Sequence, residues 1–171
     1  MNNSAEAIYA KAGELVAVSR LEGLTFGFAE SLTGGLISAS VVNIPGASAV
    51  LKGSVVSYTN EIKENVLGVP SRIIDDHTEV SEECAKAMAE GAKRLLNCDV
   101  AVSVTGIAGP TGDLPGKPVG TVYMGYCYSN EHISGAIRLN FNGDRDTIRS
   151  ETVLAALECA VHLIERQGLS G

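Results

Sequence analysis

The chain contains the stretch Ala29-Glu30-Ser31-Leu32-Thr33-Gly34-Gly35 between an apolar run, Leu24 to Phe28, and a second apolar segment, Leu36 to Val42. The first run predicts a buried strand and the second predicts a helix. Ser31 is therefore placed in a strand-to-helix turn with glycines directly behind it. Such a turn can expose a nucleophile and aim helix N-terminal N–H groups at a developing negative charge.

Ser31 has two interpretations when this motif is taken alone. A serine or threonine before a helix is commonly an N-cap, and glycines permit the turn that a cap requires. Thr33 could equally be the cap, which would leave Ser31 free to act as a nucleophile.

Helices and strands alternate along the rest of the chain. Residues 5–21, 60–67, 81–96 and 144–166 are predicted to be helical, and residues 54–58, 99–105, 119–128 and 133–141 are predicted to be strands, the last two joined by a turn at 129–131. This order indicates an α/β fold, with a mixed sheet covered by helices on both faces. We expect residues 1–171 to form a single domain, since the chain has the length of one.

Composition excludes several classes of protein. The net charge of −7 argues against a broad nucleic-acid surface, which would be basic. The four cysteines and three histidines match no metal-ligand spacing, so we expect reduced core thiols and neither a metal nor a cofactor. The sequence contains no signal peptide and no 18-residue apolar run, so we expect a cytoplasmic protein without a membrane partner. Composition does not choose between a dimer and a trimer, and we expect a homo-oligomer.

Tyr58 and Lys63 form a second candidate constellation. Tyr58 ends a predicted strand and Lys63 lies one turn into the next helix, so both can face a cleft at the carboxyl end of the sheet. A partly buried lysine can lose its proton near neutral pH and act as a general base, and a tyrosine hydroxyl can relay a proton or hold the lysine. The alternative is a solvated lysine on a polar helix face.

Two further segments could contact a ligand. Thr105 and Gly106 lead from a buried strand into a glycine-rich loop, where backbone can approach a ligand closely, although the loop could equally be structural. Asp144 is a predicted N-cap, and Arg145 and Arg149 share one face of the last helix. The two arginines could bind a phosphate or pair with surface carboxylates.

The ordered set of motifs resembles the CinA C-terminal domain family, the nicotinamide-nucleotide amidohydrolases. The resemblance covers nearly the whole chain, and it rests on Ala29-Glu30-Ser31-Leu32-Thr33-Gly34-Gly35, Ile44-Pro45-Gly46-Ala47-Ser48, Val56-Ser57-Tyr58-Thr59-Asn60 with Lys63, Leu67-Gly68-Val69, Val80-Ser81-Glu82-Glu83, Thr105-Gly106-Ile107-Ala108-Gly109-Pro110, Lys117-Pro118-Val119-Gly120-Thr121-Val122 and Gly143-Asp144-Arg145.

The resemblance implies a three-layer α/β/α fold with a largely parallel sheet. It also implies hydrolysis of the carboxamide of nicotinamide mononucleotide, with Ser31 as nucleophile and Lys63 and Tyr58 as base and acid. We expect backbone N–H groups at Thr33, Gly34 and Gly35 to hold the oxyanion. The phosphate is expected at Arg145 first and at the backbone of Thr105 and Gly106 second.

Two other functions remain open at this point. The same loops could belong to a non-catalytic nucleotide-binding or adaptor module, in which no bond is broken. The chain could also be an amidase for another small amide.

Overall fold

The computed structural model describes residues 3–128 and 133–168, and these residues alternate between helix and strand as the sequence predicts. The elements are α1 (Asn3–Glu22), β1 (Phe26–Glu30), α2 (Leu36–Val42), a short 3₁₀ helix (Ala47–Ala49), β2 (Leu51–Val56), α3 (Asn60–Asn65), α4 (Ser71–His77), α5 (Glu82–Leu96), β3 (Val100–Gly106), β4 (Thr121–Tyr128), β5 (Ile133–Asn140) and α6 (Arg145–Gly168). The turn predicted at 129–131 lies outside the described residues.

The five strands form one mixed sheet in the order β2-β1-β3-β4-β5. β1 pairs in parallel with β2 and with β3, whereas β4 pairs antiparallel with both β3 and β5. The predicted mixed sheet is therefore confirmed, with its parallel pairings confined to the first three strands. β3 and β4 can pair antiparallel because a loop, rather than a crossover helix, connects them.

Helices cover both faces of the sheet, so the domain has three layers. α2 and α6 pack on one face and α1 packs on α6, while α5 lies across the other face. Side chains alternate along β1: Phe28 enters the larger core beneath α6, and Ala29 enters the core beneath α5. Both faces of β1 are buried, which explains why its sequence is almost continuously apolar.

The structure corrects the sequence prediction around α3. β2 ends at Val56, so Tyr58 lies in the following loop rather than at the end of the strand. Thr59 is the N-cap of α3, because its extended backbone lets the side-chain oxygen accept a hydrogen bond from Ile62 N–H. α4 was not predicted; it has no buried residue, so it lacks the apolar face that sequence periodicity detects.

Three of the four cysteines, Cys84, Cys98 and Cys127, are buried, and Cys159 is partly buried; all four are unpaired. Burial raises the pKa of the Cys84 and Cys98 thiols to about 11. Across residues 3–128 and 133–168, no group of three or more metal-ligating side chains comes together. No helix in the same part of the chain is both long and apolar enough to span a membrane.

The position of β1 between β2 and β3 determines where a ligand can bind. After β1 the chain crosses to β2 on one side, and after β2 it crosses past β1 to β3 on the other. The connecting helices α2 and α5 therefore leave on opposite faces of the sheet. The carboxyl end of β1 is a topological switch point, where open α/β sheets usually bind ligands, and Ser31 follows it directly.

Candidate active site

Ser31 and Lys63 meet at the carboxyl end of β1, although 32 positions separate them in the sequence. Lys63 Nζ lies 3.2 Å from Ser31 Oγ and donates a hydrogen bond of 2.9 Å to the carbonyl oxygen of Ser57. α3 produces this contact because only three residues separate its start from the end of β2, and Lys63 lies in its last turn. The two side chains are within proton-transfer distance of each other.

Lys63 is buried, with only 1 % of its surface exposed. The interpretation of Lys63 as a solvated surface lysine is therefore wrong. Burial lowers the pKa of the Lys63 amine below its ordinary value, and the smaller electrostatic effects of Cys84 and Glu79, which raise it, oppose this only in part. Ion pairs of the described residues do not include Lys63. A lysine in this environment is suited to act as a neutral base.

The turn after Ser31 is held by the buried carboxylate of Glu30. The carboxylate accepts five hydrogen bonds of 2.7–3.0 Å, from the Thr33 hydroxyl, the Gly35, Ile37 and Ser38 N–H groups and the Ser54 hydroxyl. A negative charge at this position also complements the partial positive charge at the start of α2. Glu30 thus takes the role of helix cap.

Two predictions about the turn are corrected here. Neither Ser31 nor Thr33 caps α2: the N-cap position is Gly35, and the Thr33 hydroxyl donates to Glu30. The N–H groups of Gly34 and Gly35 do not face an oxyanion, because they donate to the Ser31 carbonyl oxygen and to Glu30. Both glycines are needed for their conformation instead, with φ values of 60° and 99°.

Two N–H groups of the turn remain without an acceptor in the described part of the chain, those of Leu32 and Thr33. Both residues are buried. A buried donor without an acceptor is costly, by about 1–3 kcal/mol, and it is rare in proteins. These two N–H groups follow the candidate nucleophile immediately and are the best available oxyanion donors of the turn.

A cavity of about 250 Å³ opens at this end of the sheet. It is lined by Ser31, Leu32, Tyr58, Gly106, Ala108 and Arg145. Three of the predicted site residues that come from distant parts of the sequence, Tyr58, Gly106 and Arg145, therefore reach the same cavity as Ser31. Lys63 does not line the cavity, but it contacts Ser31, which does.

Tyr58 lines this cavity from an exposed position. Its side chain is 60 % exposed, and its hydroxyl accepts a hydrogen bond of 3.3 Å from Arg145 Nη2. The partners of Lys63 are Ser31 and Ser57, so the hydroxyl of Tyr58 does not hold the lysine here, and a role for Tyr58 in proton transfer stays a prediction. Arg145 also donates to the Gly109 carbonyl oxygen at 2.7 Å, and this bond ties the start of α6 to the glycine-rich loop.

Two further pairs of residues were predicted to contact a ligand, and in each pair only one residue lines the cavity. Gly106 lines the cavity, but Thr105 is buried and donates its hydroxyl to the Glu79 carbonyl oxygen at 2.7 Å. Arg145 reaches the cavity, but Arg149 donates to the backbone of the nucleophile turn. The side chains of Thr105 and Arg149 therefore donate hydrogen bonds to backbone carbonyl oxygens of the protein itself.

A larger cavity of about 560 Å³ lies near the C-terminal end of α5. Its lining residues are Glu90, Lys93, Arg94, Asn97 and Cys127. Burial raises the pKa of the Cys127 thiol, which favours its unreactive protonated form. Of these two cavities, the one at Ser31 is lined by a serine that contacts a buried lysine.

Sequence reasoning missed Glu30 and the structural role of Arg149. A carboxylate shortly before a helix start is a recognisable signal for capping, and it could have identified Glu30. Nothing local signals the role of Arg149, because its partners are more than a hundred positions away.

The model of the CinA C-terminal domain family matches residues 9–164. The chain therefore belongs to the CinA C-terminal domain family.

Individual relatives agree with this assignment. The chain is 49 % identical over 134 residues to a CinA-like protein of Thermotoga maritima, and 50 % identical over 135 residues to one of Dictyoglomus thermophilum. These matches cover 78 % and 79 % of the chain but only 32 % of each relative, so the chain spans about a third of their length.

Solved structures are similar over nearly the whole chain. A competence/damage inducible protein from Agrobacterium tumefaciens is 35 % identical, with a TM-score of 0.88, and the match covers 92 % of this chain and 95 % of that one. A CinA superfamily protein from Klebsiella pneumoniae is 27 % identical, with a TM-score of 0.87 and coverages of 93 % and 98 %.

Proposed function

We propose that the protein hydrolyses the carboxamide of nicotinamide mononucleotide to nicotinate mononucleotide and ammonia. The single observation that carries the catalytic part of this proposal is the 3.2 Å contact between Ser31 Oγ and a buried lysine amine. The substrate is proposed from the resemblance to the amidohydrolases, together with a cavity that is lined in part by an arginine.

The first step is attack by Ser31 on the carboxamide carbon. Neutral Lys63 donates one N–H to the Ser57 carbonyl oxygen, which leaves its lone pair free to accept the Ser31 proton. As the Oγ–C bond forms, the proton passes to Lys63 and the carbonyl oxygen gains negative charge. The N–H groups of Leu32 and Thr33 stabilise that charge.

The second step releases ammonia and restores the enzyme. The C–N bond breaks as protonated Lys63 returns its proton to the leaving nitrogen, which departs as ammonia. Water then adds to the nicotinoyl ester with Lys63 again accepting a proton. The ester C–O bond breaks, Ser31 takes the proton back, and nicotinate mononucleotide leaves.

Arg145 and Tyr58 are proposed to bind the substrate rather than to take part in proton transfer. Both line the cavity, and the Arg145 guanidinium retains N–H groups beyond those donated to Gly109 and Tyr58. A guanidinium of this kind suits a phosphate group.

Replacing Ser31 by alanine tests the catalytic role. We expect Ser31→Ala to lower ammonia release from the mononucleotide by at least about a thousandfold, since loss of a nucleophile removes the whole catalytic unit. Ser40→Ala is the matched control, because Ser40 lies on α2 and donates to the Leu36 carbonyl oxygen. Near wild-type ammonia release by Ser31→Ala would contradict the mechanism.

The same measurements separate the other two functions. Calorimetric binding of the mononucleotide by the wild-type protein without ammonia release would favour a non-catalytic nucleotide-binding module. Ammonia release from other small amides, but not from the mononucleotide, would favour a different amidase.

A further inference from the structure

We propose that Arg149 is a positioning residue for this reaction: it fixes the peptide groups whose N–H donors stabilise the oxyanion. This inference rests on the proposed function, because it takes Ser31 as the nucleophile. It gives Arg149 a role different from that of Arg145, which shares its helix face.

The Arg149 side chain spans from α6 to the turn that follows β1. Its Nε donates to the Leu32 carbonyl oxygen at 2.9 Å, and its Nη2 donates to the Thr33 carbonyl oxygen at 3.0 Å. The guanidinium is planar, with donors in a fixed fork, so these two bonds together set the orientation of two successive peptide groups.

The orientation of a carbonyl also sets the orientation of the N–H in the same peptide group. In a trans peptide the two point in opposite directions. By holding the Leu32 carbonyl, Arg149 therefore directs the Thr33 N–H away from α6. By holding the Thr33 carbonyl, it directs the Gly34 N–H, which donates to the Ser31 carbonyl oxygen at 3.1 Å.

The hydrogen bond from the Gly34 N–H to the Ser31 carbonyl oxygen also orients the other donor, the Leu32 N–H. The Ser31 carbonyl belongs to the same peptide group as the Leu32 N–H, so fixing that carbonyl fixes the Leu32 N–H as well. Arg149 thus controls both N–H groups of the turn that lack an acceptor, one directly and one through Gly34. Without the guanidinium, the turn would be free to rotate these peptides and pair the two donors elsewhere.

The test uses Arg149→Met, which removes the fork, and Arg149→Lys, which keeps the charge without it. Arg72→Met is the matched control, since Arg72 is exposed on α4. Each protein is assayed for kcat and KM of ammonia release, and for the rate at which a fluorophosphonate labels Ser31. The phosphoryl oxygen of that probe requires the same donors but none of the nucleotide contacts. Arg149→Ala is also assayed with added methylguanidine.

We expect Arg149→Met to lower kcat by about a hundredfold, the usual effect of losing oxyanion donors, with KM changed less than about threefold. Arg149→Lys should lose nearly as much, because a single ammonium cannot hold both carbonyls. Labelling of Ser31 should slow in parallel with kcat. Millimolar methylguanidine should restore part of the kcat of Arg149→Ala.

Three results would overturn the proposal. The first is a folded Arg149→Met whose kcat is within threefold of wild type. The second is a loss of activity that appears mainly as a higher KM. The third is a failure of all Arg149 variants to fold, which would make the residue structural. Failure of the proposed substrate gives a different result: the mononucleotide is not hydrolysed, yet Ser31 is labelled and Arg149→Met slows the labelling. An unlabelled wild-type Ser31 would instead contradict the nucleophile itself.

Discussion

At the scale of single residues, the burial of Lys63 decides the chemistry. An exposed lysine would be protonated at neutral pH and could not accept a proton from Ser31. Burial disfavours the charged form, and no carboxylate of the described residues forms an ion pair that would restore it. The same burial makes the site depend on pH in a predictable direction.

We expect kcat/KM to rise with pH as Lys63 loses its proton, with an apparent pKa below the ordinary lysine value of 10.5. The free energy of unfolding should also rise with pH. Between the lowered folded pKa and 10.5, the unfolded chain binds one proton more than the folded chain, so the free energy of unfolding rises with pH. Urea unfolding of the wild type and of Lys63→Met across this window measures the effect, because Lys63→Met lacks the group.

Lys52→Met is the control for this comparison, since Lys52 is exposed on β2. The difference in stability between wild type and Lys52→Met should not change with pH in the way that the Lys63→Met difference does. Lys63→Met should also be inactive at every pH. A flat stability difference for Lys63→Met would show that the pKa of Lys63 is not lowered.

Arg145 permits a second residue-scale prediction about the substrate. Arg145→Ala should raise KM for nicotinamide mononucleotide by about 10- to 100-fold, the value of a charged hydrogen bond, and change KM for nicotinamide riboside far less. Steady-state kinetics with both substrates measures this, with Arg72→Ala as the control. An equal effect on the two substrates would place the phosphate elsewhere.

At the scale of elements, the connection from β1 to α2 shows how one carboxylate can organise a turn. α2 has only seven residues and no side-chain cap at its N-cap position, Gly35. A helix this short is marginal by itself. Its start therefore depends on the Glu30 carboxylate, which accepts hydrogen bonds from N–H groups that have no acceptor within the helix. Glu30 therefore stabilises the helix and the nucleophile turn together.

We expect Glu30→Gln to lower the free energy of unfolding by about 2–4 kcal/mol, since a glutamine amide presents an NH₂ group to donors that need an acceptor. Urea unfolding followed by circular dichroism measures this loss. Glu158→Gln, on an exposed position of α6, should change stability by less than about 0.5 kcal/mol. Equal stability of Glu30→Gln and Glu158→Gln would show that the carboxylate charge is not needed.

At the scale of the whole molecule, the sheet order assembles the site. The carboxyl ends of β1, β2 and β3 lie side by side, and they bring Ser31, Lys63 and Gly106 to one edge of the sheet. α6 then returns across the sheet so that Arg145 and Arg149 reach the same edge from its first turns. The expected homo-oligomer stays a prediction, which mass measurement in solution can check.

The sequence by itself determined the α/β class, most of the strands and helices, and the motif around Ser31. These follow from local patterns, since apolar periodicity and turn residues act over a few positions. The start of α5 was predicted to within one residue, and it is set locally, since the Ser81 hydroxyl accepts a hydrogen bond from the Cys84 N–H only three residues away. α4 was not predicted, because a helix without a buried face has no apolar periodicity in its sequence.

Only the tertiary structure decided which of these residues meet. The burial of Lys63, the exposure of Tyr58 and the bonds of Arg149 to the nucleophile turn all depend on contacts between distant segments. Periodicity carries no information about such contacts, because they are set by strand order and helix packing rather than by neighbours in the chain. For the same reason the sequence could suggest that Ser31 is a nucleophile, but only the fold placed a buried amine 3.2 Å from its oxygen.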